Sequence, residues 1–124
     1  MEYEYREIVF SVFYSLGKMV KFSRGTAVTF RCKHLAKLVT PKPATLTVIR
    51  HILEELRKKG YIDIWSVRRI GETGRGRTYR YILRKDSPLW EFLKKSTITD
   101  LHVFINNILK NDDYTIPVLA KARM

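Results

Sequence analysis

Residues 43 to 60 read PATLTVIRHILEELRKKG, and no other stretch restricts the fold so tightly. Leu46, Ile49, Leu53 and Leu56 recur at steps of three, four and three, the spacing of one apolar helical face. Pro43 suits the first helical position, RKK sits at the negative end of the helix dipole, and Gly60 supplies the stop. Immediately afterwards the period changes. YIDIWSVRRI and TYRYILR are rich in β-branched and aromatic residues and alternate with period two. In the second run Tyr79, Tyr81 and Leu83 share one face, and Arg80, Ile82 and Arg84 the other. GETGRGR joins the runs, which predicts a β-hairpin with a long glycine-rich tip. A one-sided helix followed by a hairpin makes the chain α+β, because neither element buries its apolar face alone.

The flanks add helices. YEYREIVFSVFYSLG predicts a helix over residues 2–16, with Tyr5, Val9, Val12 and Leu16 on one stripe, Tyr3, Phe10, Phe13 and Tyr14 on a second, and Gly17 as its end. Apolar on both sides, it needs two partners, of which one is the body of the domain and the other a candidate second subunit. TAVTF is a short strand. RCKHLAKLV predicts a helix that buries Cys32, Leu35, Ala36 and Val39, and TPKP breaks the chain before Pro43. DSPLWEFLKKS and TITDLHVFINNILK predict two more helices within 87–110, the second opened by a Thr97/Asp100 capping box and striped by Ile98, Leu101, Ile105 and Ile108. Residues 111–124 have no period and are expected as a frayed tail or a docking arm.

Charge narrows the function. The 124 residues carry a net +12, of which residues 1–17 contribute −2, residues 18–85 contribute +14 and residues 86–124 contribute zero. An absence of glutamine and a wealth of Ile, Lys and Arg fit a protein from a hot environment. Thermophile surfaces, however, interleave both signs, whereas the middle segment sets only four acids against 18 Lys and Arg. A partner that brings its own negative charge is the better account, and a nucleic-acid backbone is the commonest. An apolar content of 45 % argues against disorder. No run reaches the ~18 apolar residues of a membrane span, so no membrane association is expected. One cysteine, Cys32, excludes an internal disulfide and fits a reducing, cytoplasmic setting. His34, His51 and His102 show no metal-ligand spacing, and no nucleophile and base pair or phosphate loop is present, so neither an enzyme nor any metal or cofactor is expected.

The order of elements between Arg31 and Arg84 resembles the winged helix-turn-helix DNA-binding domain found in archaeal-type transcriptional regulators. HLAKLV resembles its first motif helix, TPKP the turn, residues 43–59 the recognition helix and residues 61–84 the wing. The resemblance implies a single domain over residues 1–124, mostly helical, with a two- or three-stranded β wing, a core at 18–85 and terminal helices available for dimerisation. It also implies that the recognition helix enters the major groove of double-stranded DNA and that the wing lies in or along the minor groove.

With the core stripe inward, helical geometry places Thr47 and His51 outward and Arg50 on the flank. Near the helix start, Thr45, Thr47, Arg50 and His51 are the candidates for base readout. Arginines on a pliable tip reach a narrow, electronegative groove, which suits Arg75 and Arg77. Arg68, Arg69, Arg80 and Arg84 along the strands, with Lys33, Lys37 and Lys42, are expected to meet phosphate. Trp65 and Tyr79 either stack on bases or pack the sheet. Tyr3, Phe10, Phe13, Ile98, Leu101, Ile105 and Ile108 are the candidate dimerisation residues. The leading expectation is a dimeric, nucleoid-associated transcriptional regulator. The alternatives are a sequence-independent architectural or replication-linked DNA-binding protein, and a module that binds an acidic protein.

Overall fold

The computed structural model describes residues 5–70 and 76–117, with only the backbone described at 69, 70, 76 and 77. Helix α1 spans Tyr5–Phe22, strand β1 Ala27–Phe30, helix α2 Pro43–Lys58, strands β2 and β3 Asp63–Ile70 and Gly76–Arg84, and helices α3 and α4 Pro88–Lys95 and Ile98–Asn111. The chain is thus α+β, with four helices and a three-stranded antiparallel sheet in the order β1-β3-β2. Among the described residues no helix is long and apolar enough to cross a membrane.

Helix α1 runs past Gly17, where the sequence predicted its end. The reason is tertiary: Val9, Val12, Phe13, Leu16 and Val20 form one continuous buried stripe, so ending the helix at Gly17 would strand its last member. A β-carbon on Gly17 would meet Leu93 Cδ2 at 4.0 Å, an ordinary contact, so the glycine is not required there. The helix is central, with α2 and the segment after β1 among its neighbours as well as α3 and α4.

The predicted helix over residues 31–39 is instead a single 3₁₀ turn, Cys32–Leu35, followed by irregular chain. Leu35, Ala36 and Val39 are nonetheless buried, as their spacing required. The hydrogen bonds explain the difference. The hydroxyl of buried Ser11 donates to the Leu35 carbonyl at 2.7 Å and accepts from the Leu38 amide at 3.2 Å, taking up two groups that a continuing helix would have paired internally. The Arg31 amide donates to His34 Nδ1 at 3.0 Å, and Thr40 and Lys42 each precede a proline, which disfavours helical dihedrals. Helix α2 then starts at Pro43 and ends as its sequence demands. Gly60 adopts φ 81°, its amide donates to the Arg57 carbonyl at 2.9 Å, and the Tyr61 amide reaches the Leu56 carbonyl at 3.1 Å.

Phe30, Tyr81 and Leu83 share one face of the sheet and are fully buried. The Tyr81 hydroxyl donates to Glu54 Oε2 at 2.8 Å, fastening β3 to α2. The capping box of α4 is present, with the Thr97 amide on Asp100 Oδ2 at 2.9 Å and the Asp100 amide on Thr97 Oγ1 at 3.1 Å. Leu101, Phe104, Ile105 and Ile108 are buried, and the Phe104 ring meets Phe13 at 4.9 Å and Phe92 at 5.3 Å, edge to face. This corrects the expected dimerisation face: Phe13, Leu101, Ile105 and Ile108 are spent inside the chain. Phe10 is half-buried against Tyr14 and His102, Ile98 remains exposed, and Tyr3 lies outside the described residues. Residues 112–117 dock as an arm. Tyr114 is buried with its hydroxyl 3.0 Å from that of Tyr5, Lys59 Nζ donates to Thr115 Oγ1 at 2.9 Å, and the Ile116 amide donates to the Tyr61 hydroxyl at 3.2 Å.

Three stability tests follow from this packing. Ser11→Ala leaves the Leu35 carbonyl and the Leu38 amide without their partner and should lower unfolding free energy by about 1–3 kcal/mol in urea titration. Gly17→Ala should raise it by up to ~1 kcal/mol, through helix propensity at a position with room for the methyl. Burial, and then the hydrogen bonds to Glu54 and Tyr5, push the phenols of Tyr81 and Tyr114 well above their usual range. In the unfolded chain both ionise near pH ~10, so stability is intact below that pH and is lost as pH rises beyond it. The urea midpoint should therefore fall between pH 9 and 11, and less steeply in Tyr114→Phe.

Candidate nucleic-acid interface

Helix α2 buries Ile49, Ile52, Leu53 and Leu56, which leaves Thr47, Arg50 and His51 on its exposed side. Thr45, expected to read bases, is 7 % exposed and belongs to the packed side. Its position between Pro43 and Leu46 brings it against the body of the protein once Leu46 is only half-buried, a small rotation of the helix from the sequence-derived face. Thr47 is exposed, but its hydroxyl donates to the Pro43 carbonyl at 2.9 Å, one turn back. Arg50 lies over the Tyr79 ring, its Cζ 4.4 Å from the centroid, so that β3 holds the guanidinium of α2 by a cation–π contact.

Between the first half of α2 and β3 lies a cleft of about 380 Å³, whose lining includes Arg31, Lys33, Thr47 and Arg50. Lys33, Lys37 and Lys42 are exposed along the 3₁₀ turn and the chain leading to α2. The field there is strongly positive. Burial lowers the His34 pKa, and Arg80, Lys33, Arg31 and Lys37 lower it further. The described acids of the basic segment are engaged elsewhere: Glu54 with Arg57 at 2.7 Å, Glu55 with Lys58 at 3.2 Å and Asp63 with Arg84 at 3.3 Å. The hydrogen bond from Arg57, followed by that from Tyr81, outweighs desolvation and holds the Glu54 carboxyl below its ordinary value. Among the described residues, none of the four ion pairs involves Lys33, Lys37, Lys42 or Arg50.

The described strand arginines share one face of the sheet. Ser66 pairs with Arg80 and Arg68 with Thr78, while Ile64 pairs with Tyr81, so the ladder shifts by one residue at Trp65. This bulge reverses the alternation beyond it. Simple alternation from Ile64 would turn Arg68 toward α2, but the shifted register puts it opposite Thr78, on the other face. Arg80 Nη1 donates to Thr29 Oγ1 at 3.2 Å, and Arg84 meets Asp63, contacts that place both arginines on that same outer face. Arg68, Arg80 and Arg84, each expected to meet phosphate, are therefore turned away from α2. Ile82 shares their face and is buried there, outside the main core. Arg69 and Arg77 are register partners known by backbone alone, and Arg75 lies outside the described residues. Trp65, at the bulge, is 56 % exposed and does not pack the sheet on the helices, as Tyr79 does.

Sequence reasoning missed Arg31 and Cys32 as cleft residues, because a helix over 31–39 would have turned them to other surroundings. Among the described residues no group of three or more His, Cys, Asp or Glu side chains is placed to hold a metal ion. No family model, no curated protein and no solved structure matches this chain.

Proposed function

We propose that the protein binds double-stranded DNA through the exposed side of α2 and the adjoining hairpin, in a winged-helix arrangement. The order helix, strand, turn, helix, hairpin supports this reading, as does the return of β3 to pair with β1. The 3₁₀ turn stands where the first motif helix was expected. The observation that carries the reading is the unbalanced positive surface around the start of α2, where Lys33, Lys37, Lys42 and Arg50 take part in none of the described ion pairs, and where Arg80, Lys33, Arg31 and Lys37 add to burial in lowering the His34 pKa. A polyanion supplies the missing charge.

Of four side chains expected to read bases, Thr45 is buried and Thr47 is hydrogen-bonded within its own helix. Arg50 and His51 remain. So sparse a readout favours the architectural version of the function, with little sequence preference, over the regulator. A dimeric regulator would have to use the face carrying Phe10 and Ile98, since the other described candidates are inside the chain.

Fluorescence anisotropy of duplexes across a salt series tests this. Lys33, Lys37, Lys42 and Arg50 on phosphate should give a slope of log K against log salt of about −3 to −4. Arg50→Ala should reduce the slope by about 1. Loss of all binding at ~100 mM salt sinks the reading, since non-specific duplex binders retain measurable affinity there. Enrichment of a symmetric site from a random pool would restore the regulator.

A further inference from the structure

The cleft between α2 and β3 does more than contribute charge. We propose that it is a receptor for one phosphate group, gripped by Arg31, Lys33 and Arg50, with the attached sugar resting on Leu46 and Cys32. The inference rests on the duplex-binding reading for the source of the phosphate, but not for the chemistry of the cleft.

Three observations converge. The lining supplies three cations and no carboxylate. Arg31 Nε is buried and has no hydrogen-bond partner, whereas buried donors in folded proteins are almost always paired, so this arginine keeps donor capacity that the protein itself does not use. Arg50 is already held in place: its guanidinium carbon sits 4.4 Å from the centroid of the Tyr79 ring. A phosphate has the acceptor oxygens to satisfy both arginines at once, and charge-assisted pairs of this kind are the stronger hydrogen bonds. At about 380 Å³ the cleft also exceeds what a bare phosphate fills, and Leu46, Cys32 and Tyr79 give the surplus an apolar wall. A nucleotide unit fits that combination, whether it belongs to a duplex backbone or is free in solution.

The protein carries its own reporter, because Cys32 is its only thiol and lines the cleft. Alkylation of Cys32 by neutral iodoacetamide is measured alone, with duplex DNA, with AMP and with inorganic phosphate, all at ionic strength matched with chloride. Saturating duplex should slow alkylation at least tenfold. Protection by AMP as well would identify a cleft open to free nucleotides, and protection by duplex alone would identify the backbone as its source. Arg31→Ala and, separately, the exposed Lys33→Ala should each raise the concentration needed for protection about tenfold while circular dichroism stays unchanged. Duplex bound by anisotropy with unaltered Cys32 alkylation would overturn the receptor and leave the DNA reading standing. Protection by AMP or phosphate without duplex binding would keep the receptor and remove the DNA reading. No protection by any of the three overturns the proposal.

Discussion

One buried hydroxyl holds the arrangement on which the candidate interface depends. Ser11, in the middle of α1, accepts a backbone amide and donates to a backbone carbonyl of the segment between β1 and α2, across 24 and 27 residues of chain. That pair of bonds stands in for the helical ladder the segment lacks and fixes where its 3₁₀ turn lies. The turn in turn sets Arg31 and Lys33 beside the start of α2. Because α1 also packs on α3 and α4, the position of the basic surface is referenced to the whole helical body, not to its immediate neighbours.

How much of this the sequence disclosed depended on how local the cause was. Helix α2, its proline start and its glycine end, the hairpin strands and the Thr97/Asp100 cap were all legible, since each is specified by residues within a few positions of one another. The segment at 31–39 was not. Its apolar spacing is met equally by a helix and by a 3₁₀ turn with irregular chain, and Ser11, which decides between them, is remote in sequence. Gly17 misled in the same manner: propensity marks a stop, but the buried stripe continuing to Val20 overrides it. The stripe of α4 looked unpartnered only because its partners, Phe13 and its neighbours on α1, lie at the other end of the chain.

The interface was half legible. Composition located the charge, and helical geometry brought Thr47, Arg50 and His51 to the surface. It did not reveal that Arg68 joins Arg80 and Arg84 on the face turned away from α2, since a single extra residue at Trp65 reverses the parity of β2 and leaves no mark in the alternating pattern. Nor did it reveal the pairing of Arg50 with Tyr79, which arises only when α2 lies across β3. Both are consequences of register, the property of a sheet that local sequence specifies least.

The arm at residues 112–117 has its own bearing on how the protein comes apart. Tyr5 and Tyr114 stand 109 positions apart yet share a hydroxyl contact, and the same short arm touches Lys59 and Tyr61 at the end of α2. It thereby joins the first helix to the unit that carries the basic surface, so that neither can loosen without releasing the other. Opening of the arm therefore breaks contacts with both at once, where the fraying of an undocked tail would break none.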